Sequence, residues 1–175
     1  LAGDEATEYL YQLGHRKIAY LGVDNSLVFS ADRRNGYQLA LTRHGIVPKP
    51  EYCVELPSIT AGEDTPVHAL LRSASRPTAI VVSDDILALT LERICTETGL
   101  SIPADLSILS FNNSLFARLT SPQLTSIDIN SCQLGIEAAA QMISHIENPE
   151  LPATKILVPH QLIERDSCAR PVSHS

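Results

Sequence analysis

The chain has 175 residues, of which 44% are hydrophobic and 19% are charged, and its formal net charge is −7. These values are typical of one folded domain with a sizeable core and exclude a disordered protein. An acidic chain lacks the basic face that duplex DNA requires, so we do not expect this chain to hold DNA itself. No apolar run approaches the roughly 20 residues that span a bilayer, and no signal peptide is visible. We therefore expect a cytoplasmic protein without a membrane partner.

The cysteine and histidine spacings give no sign of a disulfide framework or a metal site. The cysteines at 53, 95, 132 and 168 are far apart and form no CxxC pair, which is typical of reduced thiols in the cytosol. The histidines have no metal-ligand spacing. The motifs GxSxG, GxxxxGK[ST] and GxGxxG are absent from the sequence, so we predict no enzyme and no cofactor.

Apolar periodicity and turn residues predict helices that alternate with short strands. In chain order they are a helix at 4–13, a strand within 17–23, a helix at 30–44, a strand at 52–56, a helix at 62–73, a strand at 78–83, a helix at 84–99, strands at 105–111 and 125–129, a helix at 131–147, and a strand pair within 155–167 that Pro159 interrupts. This alternation predicts an α/β fold with a doubly wound parallel sheet.

Arg33 is the first candidate functional residue. Ser30 precedes an apolar-periodic stretch and is predicted to cap the helix, which places Arg33 where a capping box has Glu or Gln. A cation there faces the positive end of the helix dipole, at a cost of about 0.3–1 kcal/mol. This unfavourable position suggests a function for Arg33, although a solvated surface charge beside Asp32 is an alternative.

Polar side chains follow three predicted strands: Arg33 after the first, Asp84 after the third and Asn112 after the fourth. Ligands of open α/β sheets bind at the carboxyl ends of the strands, where these side chains would meet. A guanidinium, a carboxylate and an amide suit a polyhydroxylated ligand such as a sugar, and Phe29 and Phe111 could face its ring. Alternatively, Asp84 only caps a helix and Asn112 only forms a turn.

The motifs LGHRKIAYLG, S..R..GY..AL, AIVVSDDILAL, G..IPADLSILSFNN, SPQLTSIDI...QLG..AA..MI and LIERDS occur in this order. With them the chain resembles the effector-binding region of the LacI/GalR family of bacterial transcription regulators. The resemblance implies a periplasmic-binding-protein-like (type I) sensor fold with two subdomains and a sugar effector. It also implies operator DNA bound by an N-terminal helix-turn-helix that is absent from this chain.

The resemblance also implies domain boundaries. Residues 1–127 would be the C-terminal subdomain, 128–157 would cross into the N-terminal subdomain, and 158–175 would return to the C-terminal subdomain and form a tail. The chain would then lack most of the N-terminal subdomain, which would precede it. In a monomer this would leave a stripe of the helix at 131–147 uncovered, namely Ile136, Ala139, Ala140 and Ile143.

By the same resemblance, Arg33, Asp84 and Asn112 would hold the effector. Asp84 stands where the family more often has Asn, and Asn112–Asn113 stands where it more often has Asp-Asp, so the identity of the effector stays open. The motifs SFNN and VPHQLIERDS are most similar to maltose-type repressors.

The resemblance further implies a homodimer. Its interface would contain Leu89, Arg93, Phe116 and Leu119, with Phe116 as an apolar anchor. The alternative is that Phe116 packs against its own sheet. Two other functions stay open at this point: a periplasmic sugar-binding protein of a transport system, and an α/β enzyme acting on sugars, which would need a phosphate loop.

Overall fold

The computed structural model describes residues 2–23, 28–57 and 64–172. Its helices are α1 Ala2–Gln12, α2 Val28–Arg43, α3 Thr65–Arg72, α4 Asp85–Thr98, α5 Leu115–Leu119 and α6 Ser131–Glu147. Its strands are β1 Ile18–Val23, β2 Cys53–Leu56, β3 Ala79–Val82, β4 Ser107–Phe111, β5 Thr125–Asp128 and β6 Gln161–Ile163, and a 3₁₀ turn at Pro50–Tyr52 precedes β2.

The strands form one sheet in the order β2-β1-β3-β4-β5-β6. The first five are parallel, whereas β6 pairs antiparallel with β5. The α/β prediction is confirmed, but the sheet is not wholly parallel. The chain leaves the sheet after Asp128, at the end of β5, and re-enters it at Gln161, which pairs with Asp128. Because it re-enters at the same end of β5, the next strand must run antiparallel to β5. Within residues 155–167, all of which the structure describes, one strand follows Pro159 and none precedes it, so the predicted strand pair is wrong.

Helices cover both faces of the sheet, as a doubly wound fold requires. One apolar cluster joins α1 and α2 to the strand residues Ile18 and Tyr20. The other joins α3 and α4 to Ala19 and Leu21, which point to the opposite face because side chains alternate along a strand. Every residue of β1, β3 and β4 is buried, so these three central strands form a rigid base beneath the loops at their ends.

Helices α1 and α2 cross at two glycines. A Cβ on Gly3 would lie 2.2 Å from the backbone oxygen of Arg33, and a Cβ on Gly36 would lie 2.6 Å from the backbone nitrogen of Asp4. No real Cβ tolerates such distances to backbone atoms, so the two helices can pack this closely only with glycine at both positions. This contact sets the height of Arg33 above the sheet.

The start of α2 differs from the prediction. The helix begins at Val28, so Ser30 lies inside it and its hydroxyl donates to the backbone oxygen of Val23 at 2.9 Å. Ser30 therefore closes the β1–α2 connection rather than capping the helix. Arg33 consequently lies in the second turn, where the positive end of the helix dipole is already weak.

Residues 129–160, which we call the arm, leave the sheet between β5 and β6. The arm contains α6, none of whose residues is buried, and Ile136, Ala139, Ala140 and Ile143 are all exposed. The returning segment contacts the helix, since the Thr154 hydroxyl donates to Oε1 of Gln141 at 3.1 Å. The prediction that these four residues of α6 are uncovered in a single copy of the chain is confirmed.

Across the three described ranges, no helix combines the length and apolarity needed to cross a membrane. Within those same ranges, no three His, Cys, Asp or Glu side chains are grouped closely enough to hold a metal ion.

Candidate functional site

The carboxyl ends of β1, β3 and β4 lie side by side and bring three of the predicted residues together. Arg33 extends from α2 over the end of β3, where its Nη1 donates to the backbone oxygen of Ser83 at 2.5 Å. Its Nη2 donates to Oδ1 of Asn112, at the end of β4, at 3.0 Å. Arg33, Asp84 and Asn112 line one cavity. The expectation that these strand ends meet is confirmed, and the alternative of a solvated Arg33 is wrong because the residue is only 9% exposed.

Two aromatic rings flank the guanidinium of Arg33. Its central carbon lies 4.5 Å from the ring centroid of Phe111 and 5.1 Å from that of Phe29, distances at which a cation is attracted to a ring face. Burial lowers the pKa of Arg33, and the nearby Asp84 and Asp85 act in the opposite direction. The guanidinium is therefore a desolvated, oriented donor.

The two rings differ in accessibility. Phe29 is 44% exposed and lines the cavity, whereas Phe111 is fully buried in the core beneath Arg33. The expectation that Phe111 faces a ligand is therefore wrong: a residue at the end of a central strand with inward register joins the core, and Phe111 supports Arg33 from behind.

Asp84 caps α4, which was the alternative to a role in ligand binding. Its Oδ1 accepts from the backbone nitrogen of Leu87 at 2.8 Å. Among the described residues no hydrogen bond to Oδ2 is found, and the residue lines the cavity while it is 7% exposed. One oxygen thus serves the helix and the other can accept from a ligand hydroxyl, so the structural and functional interpretations are compatible.

The turn after β4 holds Asn112 in an unusual conformation. Asn112 and Asn113 have φ values of 95° and 46°, and asparagine is among the few non-glycine residues that tolerate this region. The next residue, Ser114, donates its backbone nitrogen to Oδ2 of the buried Asp85 at 2.6 Å. Oδ1 of Asp85 accepts from the hydroxyls of Ser110 and Ser126 at 2.5 and 2.9 Å. Asp85 therefore anchors the turn.

The cavity at this edge has a volume of about 480 Å³, within the usual range for small-molecule sites. Sequence reasoning missed three apolar residues of its wall, Ile86, Phe116 and Ile129. Ile86 follows the capping aspartates and Ile129 follows β5, so their positions after strand ends are the signal that could have identified them. Phe116 lies on α5, a helix that is not among the elements predicted from the sequence.

A second cavity, of about 450 Å³, lies at the amino edge of the sheet and is lined by Lys17, Arg72 and Arg76. Arg72 is in the last turn of α3, where a cation offsets the negative end of the helix dipole. Asp105 and His15 also line this cavity, but both ring nitrogens of His15 are engaged within the chain, by Thr78 and Ala169. The carboxyl edge instead brings Arg33, Asp84 and Asn112 together beside the exposed ring of Phe29, and we therefore regard it as the candidate site.

Comparison with known proteins identifies the family of this chain. The periplasmic binding protein-like domain family matches residues 7–168. The chain is 31% identical over 166 residues to the probable HTH-type transcriptional repressor ExuR of Bacillus subtilis, covering 95% of this chain and 50% of that protein. It is 33% identical over 149 residues to the ribose operon repressor of Haemophilus influenzae, covering 85% and 45%. This chain belongs to the periplasmic binding protein-like domain family.

Solved structures confirm the resemblance to LacI-family regulators. A transcriptional regulator LacI from Bacillus cereus subsp. cytotoxis has a TM-score of 0.91 and 37% identity, over 97% of this chain and 60% of that one. A LacI family regulator from Enterococcus faecium, solved with bound ribose, has a TM-score of 0.83 and 29% identity over 97% and 62%. The chain spans about half the length of the curated relatives it matches.

The four residues expected at a dimer interface lie on α4 and α5. Phe116 is 45% exposed and Leu119 is 70% exposed, so the alternative of a core position for Phe116 is wrong. Leu89 is half-buried. Arg93 is exposed and pairs within its own chain, with Asp64 at 2.6 Å and Glu97 at 2.5 Å.

Proposed function

We propose that this chain is the sugar-sensing region of a transcriptional repressor. The observation that supports it most is the buried Arg33 guanidinium, held between the Ser83 carbonyl and the Asn112 amide at the edge of a cavity. These two hydrogen bonds fix the orientation of the guanidinium, so its other N–H groups point in set directions and can donate to a ligand. The ribose-bound regulator from Enterococcus faecium, with its similar fold, supports a sugar as ligand.

The charges of the site favour a neutral sugar over an acidic or phosphorylated one. Arg33 contributes one positive charge, and Asp84 and the buried Asp85 contribute two carboxylates within the same lining. A ligand anion would meet more negative than positive charge in a region of low dielectric, which disfavours it. Hydroxyls can instead accept from Arg33 and from Nδ2 of Asn112 and donate to Oδ2 of Asp84, while Phe29 faces an apolar side of the sugar.

The relatives named as repressors support regulation over transport and over sugar-directed enzymes. In the proposed protein, operator DNA is bound by a helix-turn-helix outside this acidic chain, and the protein acts in the cytoplasm, where its operator is. The sugar favours one orientation of two subdomains and so changes the spacing of the DNA-binding heads. Such a population shift requires a different affinity for sugar in the two states.

The four candidate interface residues support a homodimer of this region, paired through α4 and α5. Phe116 and Leu119 expose large apolar surfaces beside each other on α5, and a second copy would cover them around a two-fold axis. Because Phe116 also lines the ligand cavity, pairing and sugar binding would share one residue.

Isothermal titration tests the choice of ligand. We expect binding of a neutral sugar within a panel of monosaccharides and disaccharides that includes ribose and maltose. Ribose 5-phosphate and glucuronate should bind at least about tenfold more weakly than their neutral counterparts, because they add an anion beside two carboxylates. Tighter binding of the acidic sugars would contradict the proposed charge balance, and failure of the whole panel would contradict sugar sensing.

A further inference from the structure

Asn113 adjoins the candidate site but does not face it. Its neighbour Asn112 contacts Arg33, whereas the Asn113 side chain extends to the opposite side of the turn. There its Nδ2 donates to Oδ2 of Asp128 at 2.8 Å, and its Oδ1 accepts from Nη2 of Arg165 at 2.5 Å. The amide donates to a carboxylate and accepts from a guanidinium at the same time, which an ionised Asp or a Leu at this position could not do.

The two partners of Asn113 mark the points where the arm leaves and rejoins the sheet. Asp128 is the last residue of β5, and its Oδ1 accepts from the backbone nitrogen of Asn130 at the base of the arm, at 2.7 Å. Arg165 follows β6, the first strand after the arm, and its Nη1 donates to the backbone oxygen of Leu124 at 2.7 Å. One side chain thus joins the departing and returning segments.

The turn itself moves with β5. The backbone nitrogen of Asn112 donates to the oxygen of Ile127 at 2.8 Å, and that of Asn113 donates to the hydroxyl of Ser126 at 3.0 Å. A displacement of Asn112 would therefore disturb its hydrogen bond to Ile127 of β5, two residues before the arm begins. By contrast, no residue of α6 is buried against the sheet, so contacts of the helix itself do not fix the direction of the arm.

We infer that Asn113 is the positioning residue that sets the direction of the arm relative to the Arg33–Asn112 contact. It does so by holding Asp128 and Arg165 together beneath the turn. This role belongs to the chain with or without a ligand. Its consequence for signalling rests on the proposed function: a sugar that engages Asn112 shifts the arm through Asn113.

Distances between spin labels in the ligand-free, full-length protein test the positioning role. One label is placed on α2 with Leu39→Cys and one at the far end of α6 with Ser144→Cys, both at exposed positions. Cys95 is fully buried and stays. The accessible cysteines, Cys53, Cys132 and Cys168, are replaced by serine.

The decisive comparison is between Asn113→Asp and the exchange variant Asn113→Asp/Asp128→Asn. The single variant places two carboxylates face to face and should broaden or displace the distance distribution. The exchange variant restores one donor and one acceptor between the two positions and keeps an acceptor for Arg165, so it should recover the parent distribution.

If the folded Asn113→Asp protein shows a broadened distribution that the exchange variant does not reverse, Asn113 is merely structural. Unchanged distances in Asn113→Asp would also overturn the inference. Asp128→Ala, which only removes one contact, takes the place of the single variant if that protein does not fold.

A second measurement adds saturating ribose or maltose, whichever binds the parent protein in the titration above. We expect the sugar to shift the parent distribution and to leave that of Asn113→Asp unshifted, while the dissociation constant changes by less than about threefold. An equal shift in both proteins would refute the coupling. If neither sugar binds, the proposed function fails, and the ligand-free comparison still decides the positioning role.

Discussion

At the scale of single residues, Glu92 carries a charge that the fold disfavours. Its Oε1 is buried, with no hydrogen-bond partner among the described residues, and burial raises the pKa of its carboxyl to about 7. The folded protein therefore binds a proton at Glu92 more readily than the unfolded chain does. By linkage, the higher pKa of Glu92 makes folding more favourable at low pH than at high pH. This stabilisation of the folded state is lost as the pH rises from about 4.5 through 7.

We predict that Glu92→Gln raises the free energy of unfolding at pH 8 by about 1–3 kcal/mol and changes it little near pH 4.5. Urea denaturation at the two pH values measures this difference. Glu150→Gln, at an exposed carboxylate of the arm, is the matched control and should have no effect at either pH. An equal effect of Glu92→Gln at both values would show that its charge is not the cause.

Arg33 shows what sequence reasoning could and could not give at this scale. Its meeting with Asp84 and Asn112 follows from strand ends and sheet geometry and is confirmed. The reason given for singling it out, a poor position in the first helical turn, is wrong because α2 begins at Val28. No local pattern revealed that Phe111 supports Arg33 from within the core, since strand register fixes which face a side chain takes.

At the scale of elements, the crossing of α1 and α2 depends on Gly36. A Cβ there would meet backbone atoms of Asp4 and Gly3 at 2.6–3.0 Å, so the helices would have to separate. We predict that Gly36→Ala lowers the free energy of unfolding by about 1–3 kcal/mol, the usual cost of overpacking. Sugar affinity should fall with it, because Arg33 lies on the displaced helix.

Gly135→Ala is the control for this prediction. Its Cβ would meet nothing within 4 Å, and alanine favours a helix interior by up to about 1 kcal/mol over glycine. It should therefore be neutral or slightly stabilising in chemical denaturation. A Gly36→Ala protein as stable as its parent would show that α1 and α2 can adjust at no cost.

The elements found from the sequence are those with a strong apolar period and clear turn residues. The features that could not be found from the sequence, α5 and the direction of β6, depend on tertiary contacts. The five residues of α5 are too few for a periodic signal. The antiparallel direction of β6 is set by where the arm returns, beside Asp128, and nothing within residues 161–163 encodes it.

At the scale of the whole molecule, the proposed dimer is tested at Leu119, which is 70% exposed and does not line the ligand cavity. Leu119→Asp should give a folded monomer in analytical ultracentrifugation, because a carboxylate in an apolar interface is costly. Phe116→Asp should do the same. Leu39→Asp, at a 55% exposed site on α2, should remain dimeric. A monomeric parent protein, or a dimer unaffected by both α5 variants, would contradict the interface.

The central claim is that the buried Arg33 at the carboxyl edge of the sheet holds a sugar, and calorimetric titration of Arg33→Ala beside Arg34→Ala tests it most directly. Arg34 is the next residue of the same helix but pairs with Glu55 at 3.1 Å, away from the cavity. The titration uses whichever panel sugar binds the parent protein, at a temperature where both variants are folded. We predict that Arg33→Ala weakens binding by about 10- to 100-fold, the loss of a hydrogen bond from a charged group, and that Arg34→Ala leaves binding within about threefold of the parent. Unchanged affinity in Arg33→Ala, or an equal loss in both variants, would contradict the claim.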